Sequence, residues 1–181
     1  MYSLMRALKD LDKHWSGNKI VIFKQVSDMR LIFKLMKSPM GLVLLKFWQL
    51  PQSVIGTIVQ YVYMHLTGDK VQVGMPLMGS HPQYLIAVVF SSRMQGGLSL
   101  GDTITLPYSS NFTTPRSIMM HEKGHCLQSM LLGWFYLPVI GLSSILWASW
   151  HILTKSKRDY NSFWTERWAE NLAKKYIGDM D

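Results

Sequence analysis

The chain has 181 residues, of which 48% are hydrophobic and 12% aromatic, and its mean hydropathy is +0.07. This composition excludes an intrinsically disordered protein, and the length is sufficient for one domain with its own core. The formal net charge is +8, and residues 1–50 contribute +6 of it. That basic half suits an anionic membrane surface or a solvated helix face. No nucleic-acid-binding signature accompanies it, so no nucleic acid partner is expected.

The sequence neither requires nor excludes secretion. Cys126 is the only cysteine, so no disulfide within the chain is expected. The first 20 residues are charged and contain no continuous apolar segment, so no cleavable signal peptide is expected. A membrane-associated and a cytoplasmic location both remain compatible with the sequence.

Helices are predicted in the first third of the chain. Residues 3–14 and roughly 27–49 have the periodicity of amphipathic helices and are separated by the turn signal SGNK. A third helix is predicted to start at Pro51 and to run to about residue 66, within the charge-free segment 47–68. It is either a membrane span or a buried core helix. Three glutamines keep the core helix open as an equal alternative to the span: Gln49, Gln52 and Gln60.

Two strands are predicted in the middle of the chain, at Tyr84 to Phe90 and at Leu98 to Leu106. Both segments are rich in β-branched residues and lie next to the turn signals SHP and QGG. We expect the two strands to pair. The change from helices to a small sheet and back to helices predicts an α+β fold that is mainly helical.

The last part of the chain contains two predicted helices with an apolar segment between them. The first runs from about residue 115 to residue 132 and ends at Gly133. The second covers residues 161–178, with Asn161 or Ser162 as its cap. The segment Trp134 to Leu153 between them is long enough to cross a bilayer, although Pro and Gly interrupt it. A span, a re-entrant or surface-lying pair and a soluble core helix all remain open for it.

The sequence HEKGH, residues 121–125, predicts a metal site. Residues four apart on an α-helix lie on the same face, so His121 and His125 can bind one zinc ion together. Glu122 lies at the flank of that face, where its carboxylate can act as a general base on a water molecule. The chain has only two other glutamates, Glu166 and Glu170, and they share one face of a later helix. One of these can complete the zinc site, and the other can accept a hydrogen bond from a ligand histidine.

HEKGH, followed about forty residues later by ERWAE, resembles the gluzincin metallopeptidases, whose third ligand is a Glu in an E-x-x-A-D motif. The resemblance implies one Zn²⁺ held by His121, His125 and Glu166, with Glu122 as the general base of peptide-bond hydrolysis. Glu170 stands where that family has Asp, so it is either a partner of a ligand histidine or an alternative ligand. The resemblance also implies that the strand at residues 98–106 lies beside the site and binds extended peptide.

The resemblance covers about residues 98–178 and extends to small bacterial zincin-like proteins. It implies a zincin-like region 81–181 that follows a basic, apolar helical region 1–80 within one compact domain. The substrate would be a peptide or protein. A zincin-like module that has lost turnover and binds a membrane is the alternative function. His151 and Tyr160 lie between the two metal-binding helices, where a transition-state donor is often found, but each also suits a structural role.

Overall fold

The structure, a computed structural model, describes residues 29–67, 72–91, 94, 96–107, 116–154 and 162–177. The helix predicted at residues 3–14 lies outside the described residues, as do Asn161 and Tyr160. The described part contains helices and a four-stranded mixed sheet, which confirms an α+β, mainly helical fold.

Three helices precede the sheet: α1 (Arg30–Met36), α2 (Pro39–Trp48) and α3 (Leu50–Thr67). The prediction of a single helix over residues 27–49 is wrong, because the helix is interrupted between α1 and α2. Ser38 is extended there, and its hydroxyl accepts a hydrogen bond of 3.1 Å from the Gly41 N–H. The residue before a proline disfavours helical backbone, and a serine suits an N-cap, so the Ser38–Pro39 pair starts a new helix. Helix α3 confirms the helix predicted over residues 51–66.

The strands are β1 (Gln72–Pro76), β2 (Leu85–Ser91), β3 (Leu98–Leu100) and β4 (Thr103–Pro107). Their order in the sheet is β1-β2-β4-β3, and only the β2–β4 pair is parallel. The strand predicted at residues 84–90 is confirmed. The prediction of one strand over residues 98–106 is wrong, because Gly101, with φ 65°, turns the chain and divides the segment into a hairpin. Strand β1 was not predicted, because its residues QVGMP include Gly and Pro, which are depleted in strands.

Helices cover both faces of the sheet. Ile86, Val88, Ile104 and Leu106 on one face belong to the main core, together with Leu127 from the following helix. The alternating residues of β4 point to the opposite face, which α3 covers. Gly56 of α3 lies so close to Thr103 and Leu100 that a Cβ at this position would overlap them.

The remaining helices are α4 (Arg116–Leu132), α5 (Leu142–Thr154) and α6 (Trp164–Tyr176). Gly133, with φ 52°, ends α4 as predicted and begins a 3₁₀ turn, Gly133–Phe135. A π-helical turn, Leu137–Gly141, then leads into α5. Pro138 and Gly141 therefore lie in a wider π-helical turn and do not end the helical segment. The prediction of Ser162 as a cap is wrong, because α6 begins after an extended Phe163 without a side-chain cap.

Helices α4 and α6 lie close together at Gly124. A Cβ at this position would overlap the backbone carbonyl of Ala169 on α6. Backbone atoms at such a contact cannot move aside as the end of a flexible side chain can. The glycine of the HEKGH sequence therefore sets the distance between the two helices.

We expect Gly124→Val to lower the free energy of unfolding by about 1–3 kcal/mol, because the added side chain forces α4 and α6 apart. The matched control is Gly74→Val in β1, where a Cβ meets no atom within 4 Å. Its effect should stay within about 0.5 kcal/mol. Urea denaturation followed by circular dichroism measures both, and equal effects of the two substitutions would contradict this packing.

Candidate metal centre

Three side chains from α4 and α6 converge on one point. The Nε2 atoms of His121 and His125 lie 3.1 Å each from Oε2 of Glu166 and 3.2 Å from each other. Ligand atoms at 2.0–2.2 Å from a tetrahedral ion are about 3.3 Å apart, which is close to these distances. The group of His121, His125 and Glu166 could therefore hold a metal ion.

The Glu166 carboxylate is held by hydrogen bonds on the oxygen that does not face the histidines. Its second oxygen, Oε1, accepts hydrogen bonds from the Thr165 hydroxyl at 3.1 Å and from the Ser144 hydroxyl at 3.2 Å. Ser144 belongs to α5, so a helix outside the α4–α6 pair also holds this carboxylate. These two bonds leave Oε2 directed at the histidines.

Gln128 fixes the orientation and the protonation of His125. Its Nε2 donates to the Thr165 carbonyl oxygen at 2.7 Å, and its Oε1 lies 2.8 Å from Nδ1 of His125. Because a carbonyl only accepts, the Gln128 amide must turn its NH₂ to Thr165 and its oxygen to His125. Nδ1 of His125 must then carry a proton, and Nε2 is the atom left for a metal.

Glu170 lies on the outer side of His121. Its Oε2 is 3.4 Å from Nδ1 of His121, and its Oε1 accepts a bond of 3.0 Å from the Lys174 ammonium group. The structure therefore brings Glu166, and not Glu170, to the Nε2 atoms of both histidines. Glu170 occupies the position of a hydrogen-bond partner of His121.

The charges of the centre act on one another strongly. Burial alone would lower the pKa of His125, but the hydrogen bond and the charge of Glu166, with the charge of Glu122, raise it to about 9. Burial would raise the pKa of Glu166, but the hydrogen bonds from His121 and His125 lower it well below its usual range. A metal ion that bound here at neutral pH would therefore have to displace a proton from His125, so its affinity would rise with pH.

Glu122 lies outside this triangle and faces the sheet. Its side chain is buried and accepts a hydrogen bond from the Ser99 hydroxyl of β3. A Cβ at Gly97 would overlap the end of the Glu122 side chain, so a larger residue there would require this side chain to move. The Glu122 charge still acts on the centre, because it contributes to the raised pKa of both His121 and His125.

His151, a further candidate from the sequence, does not join the triangle. The ring of His151 lies edge-on to Trp147 and Trp150 in an aromatic cluster on α5, with centroids 4.7 and 5.0 Å away. Tyr160 lies outside the described residues.

Sequence reasoning missed the residues that support the ligands. Gln128 had a signal, because it follows His125 by three positions on the same helix face. Ser144 had no such signal, since a serine within an apolar segment shows only that the segment is less apolar. Ser99 in β3 and Gly97 just before it contact Glu122 only because the sheet packs against α4, and local periodicity does not reveal such packing.

No protein-family model, no curated protein and no solved structure matches this chain. The function must therefore be inferred from the chemistry of the site.

We expect Glu166→Ala to lose zinc affinity far more than Glu170→Ala, because only Glu166 reaches both Nε2 atoms. Loss of the outer partner of a ligand histidine costs about 10–100-fold, which is the effect expected for Glu170→Ala. Competition with a chromophoric chelator gives the affinities, and circular dichroism checks that both variants are folded. A loss at Glu170 equal to or greater than the loss at Glu166 would reverse the assignment.

Proposed function

We propose that this protein is a zinc-dependent peptidase of the gluzincin type, which hydrolyses peptide bonds in a peptide or protein substrate. The observation that carries the proposal is the His121–His125–Glu166 triangle with a separate buried carboxylate, Glu122, on the same helix. Two histidine ligands and a base on one helix, with a third ligand from a second helix, suit metal-assisted hydrolysis.

The donor set favours zinc. Two imidazole nitrogens and one carboxylate oxygen suit a borderline-soft ion, whereas Mg²⁺ and Ca²⁺ prefer oxygen ligands alone. Catalytic zinc sites have three protein ligands and keep a further position open. Three residues of this chain match that number.

Zinc bound at these residues would supply Lewis acidity. Glu122 would take the proton of the attacking water and deliver it to the departing amine nitrogen. The Ser99 hydroxyl holds the Glu122 carboxylate in one orientation. Strand β3 lies at the end of the described sheet order, so an extended substrate could add to its outer edge and pass Glu122.

A second candidate function is a zincin-like binding module without turnover. The burial of Glu122 favours it, since the side chain already has a partner in Ser99 and is only 5% exposed. In such a module the metal would stabilise the α4–α6 pair. The membrane-binding part of this alternative depends on a different surface, described below.

We expect Glu122→Gln to bind zinc about as well as the wild type and to lose most of its turnover, because an amide keeps the size but cannot take a proton. Glu122→Asp should also be poor, since a displacement of about 1 Å can cost roughly 100-fold. The assay is digestion of a mixed-peptide library with and without a zinc chelator, read by mass spectrometry.

Cleavage that a chelator does not stop would contradict this mechanism, and so would full activity of the Gln variant. Absence of all cleavage by a zinc-loaded wild-type protein would favour the binding module. His65→Gln in α3, a matched change of a histidine outside the site, should leave cleavage unchanged.

A further inference from the structure

Helix α3 has its polar side turned inward and its apolar side turned outward. The residues it buries are Gln52, Gly56 and Gln60. Its exposed large side chains are Leu50, Val54, Ile55, Ile58, Tyr61, Val62 and Leu66. An ordinary surface helix of a soluble protein has the opposite arrangement.

The inward glutamines bind the body of the protein. Gln52 donates to the Gly133 carbonyl oxygen at 2.8 Å, and Gln60 donates to the carbonyl oxygens of Ala87 and Ile104 at 3.0 and 2.9 Å. Small residues and amide side chains at a packed interface, with aliphatic residues outside, are typical of helices that face lipid. The orientation of α3 is therefore fixed by these bonds.

The outward apolar character continues beyond α3. Helix α2 exposes Phe47 and Trp48, and the 3₁₀ turn exposes Trp134, whose indole N–H donates to the Phe47 carbonyl oxygen at 3.2 Å. We use the name apolar surface for the exposed apolar residues of α2, α3 and the 3₁₀ turn. Helices α2 and α3 meet at a bend of 74°, so the apolar surface is bent as well.

Helix α5 has the same property. The segment Leu137–Thr154 is long and apolar enough to cross a membrane, and only 11% of it is buried. A core helix of a soluble protein would be mostly buried. Among its exposed side chains are Leu142, Ile145, Ile152 and Leu153.

We propose that the apolar surface inserts into the hydrocarbon layer of a membrane that carries anionic lipid. From Met29 to Thr67 the chain has no acidic residue, and Lys34 and Lys37, which are exposed, directly precede α2. Cations beside an apolar face bind anionic headgroups while the apolar side chains enter the acyl layer.

A bilayer suits this surface better than a second protein does. Protein interfaces contain many hydrogen bonds between the partners. Here even the indole N–H groups of Trp48 and Trp134 are used internally, by the carbonyl oxygens of Met130 and Phe47. Hydrocarbon needs no hydrogen-bonding partner, so it matches a surface that offers few.

The test is flotation of the full chain with vesicles of neutral lipid and with vesicles that contain about a third anionic lipid. We expect the protein to float with the anionic vesicles and to be released in part by salt. The double variant Ile58→Asn with Val62→Asn should reduce the partition coefficient about tenfold or more, because two side chains lose their transfer into hydrocarbon. The control Leu85→Asn, equally exposed on β2, should change nothing.

The two asparagines face outward, so circular dichroism should show an unchanged fold. A wild-type protein that stays monodisperse in the supernatant without detergent, with anionic vesicles present, would overturn the proposal. Self-association that the double variant abolishes, without any binding to vesicles, would assign the surface to a second copy of the chain. Neither result depends on zinc or on cleavage, so the peptidase proposal stands or fails separately.

Discussion

The buried carboxylate of Glu166 is the constraint on which the rest of the site depends. A buried charge is costly unless it is paired and hydrogen-bonded. Here four groups satisfy it: His121 and His125 on one oxygen, Ser144 and Thr165 on the other. Those groups come from α4, α5 and α6, so the carboxylate can be satisfied only when all three helices are in place.

The carboxylates of Glu122 on α4 and Glu166 on α6 lie in two different environments. Glu166 lies between two histidines, whereas Glu122 points to the sheet and bonds to Ser99. The first environment favours an ionised ligand, and its low pKa agrees with that. In the second environment the hydrogen-bond partner of the carboxylate is a neutral hydroxyl, which suits the general base proposed above.

The features of α4 and of the candidate metal site that depend on local periodicity could be predicted from the sequence. The limits of α4, the common face of His121 and His125 and the later pair of glutamates follow from helical spacing and from the glycine at the end of the helix. The turn at Gly101 was missed, because the residues on both sides of it are good strand formers. The inward direction of Gln52 and Gln60 was open, since it depends on carbonyl groups far away in the sequence.

Helix α5 connects the two parts of the account. Ser144 donates to the buried Glu166, while the next residue, Ile145, is exposed. The proposed metal centre is therefore one helix away from an exposed apolar face.

The central claim is that His121, His125 and Glu166 hold one zinc ion. Elemental analysis of the purified protein, after zinc loading and removal of free metal, tests it most directly. We expect one zinc per chain in the wild type and a strong loss in His125→Ala, with Gly74→Val retaining the full amount. Absence of stoichiometric zinc in folded wild-type protein, or full retention in His125→Ala, would contradict it.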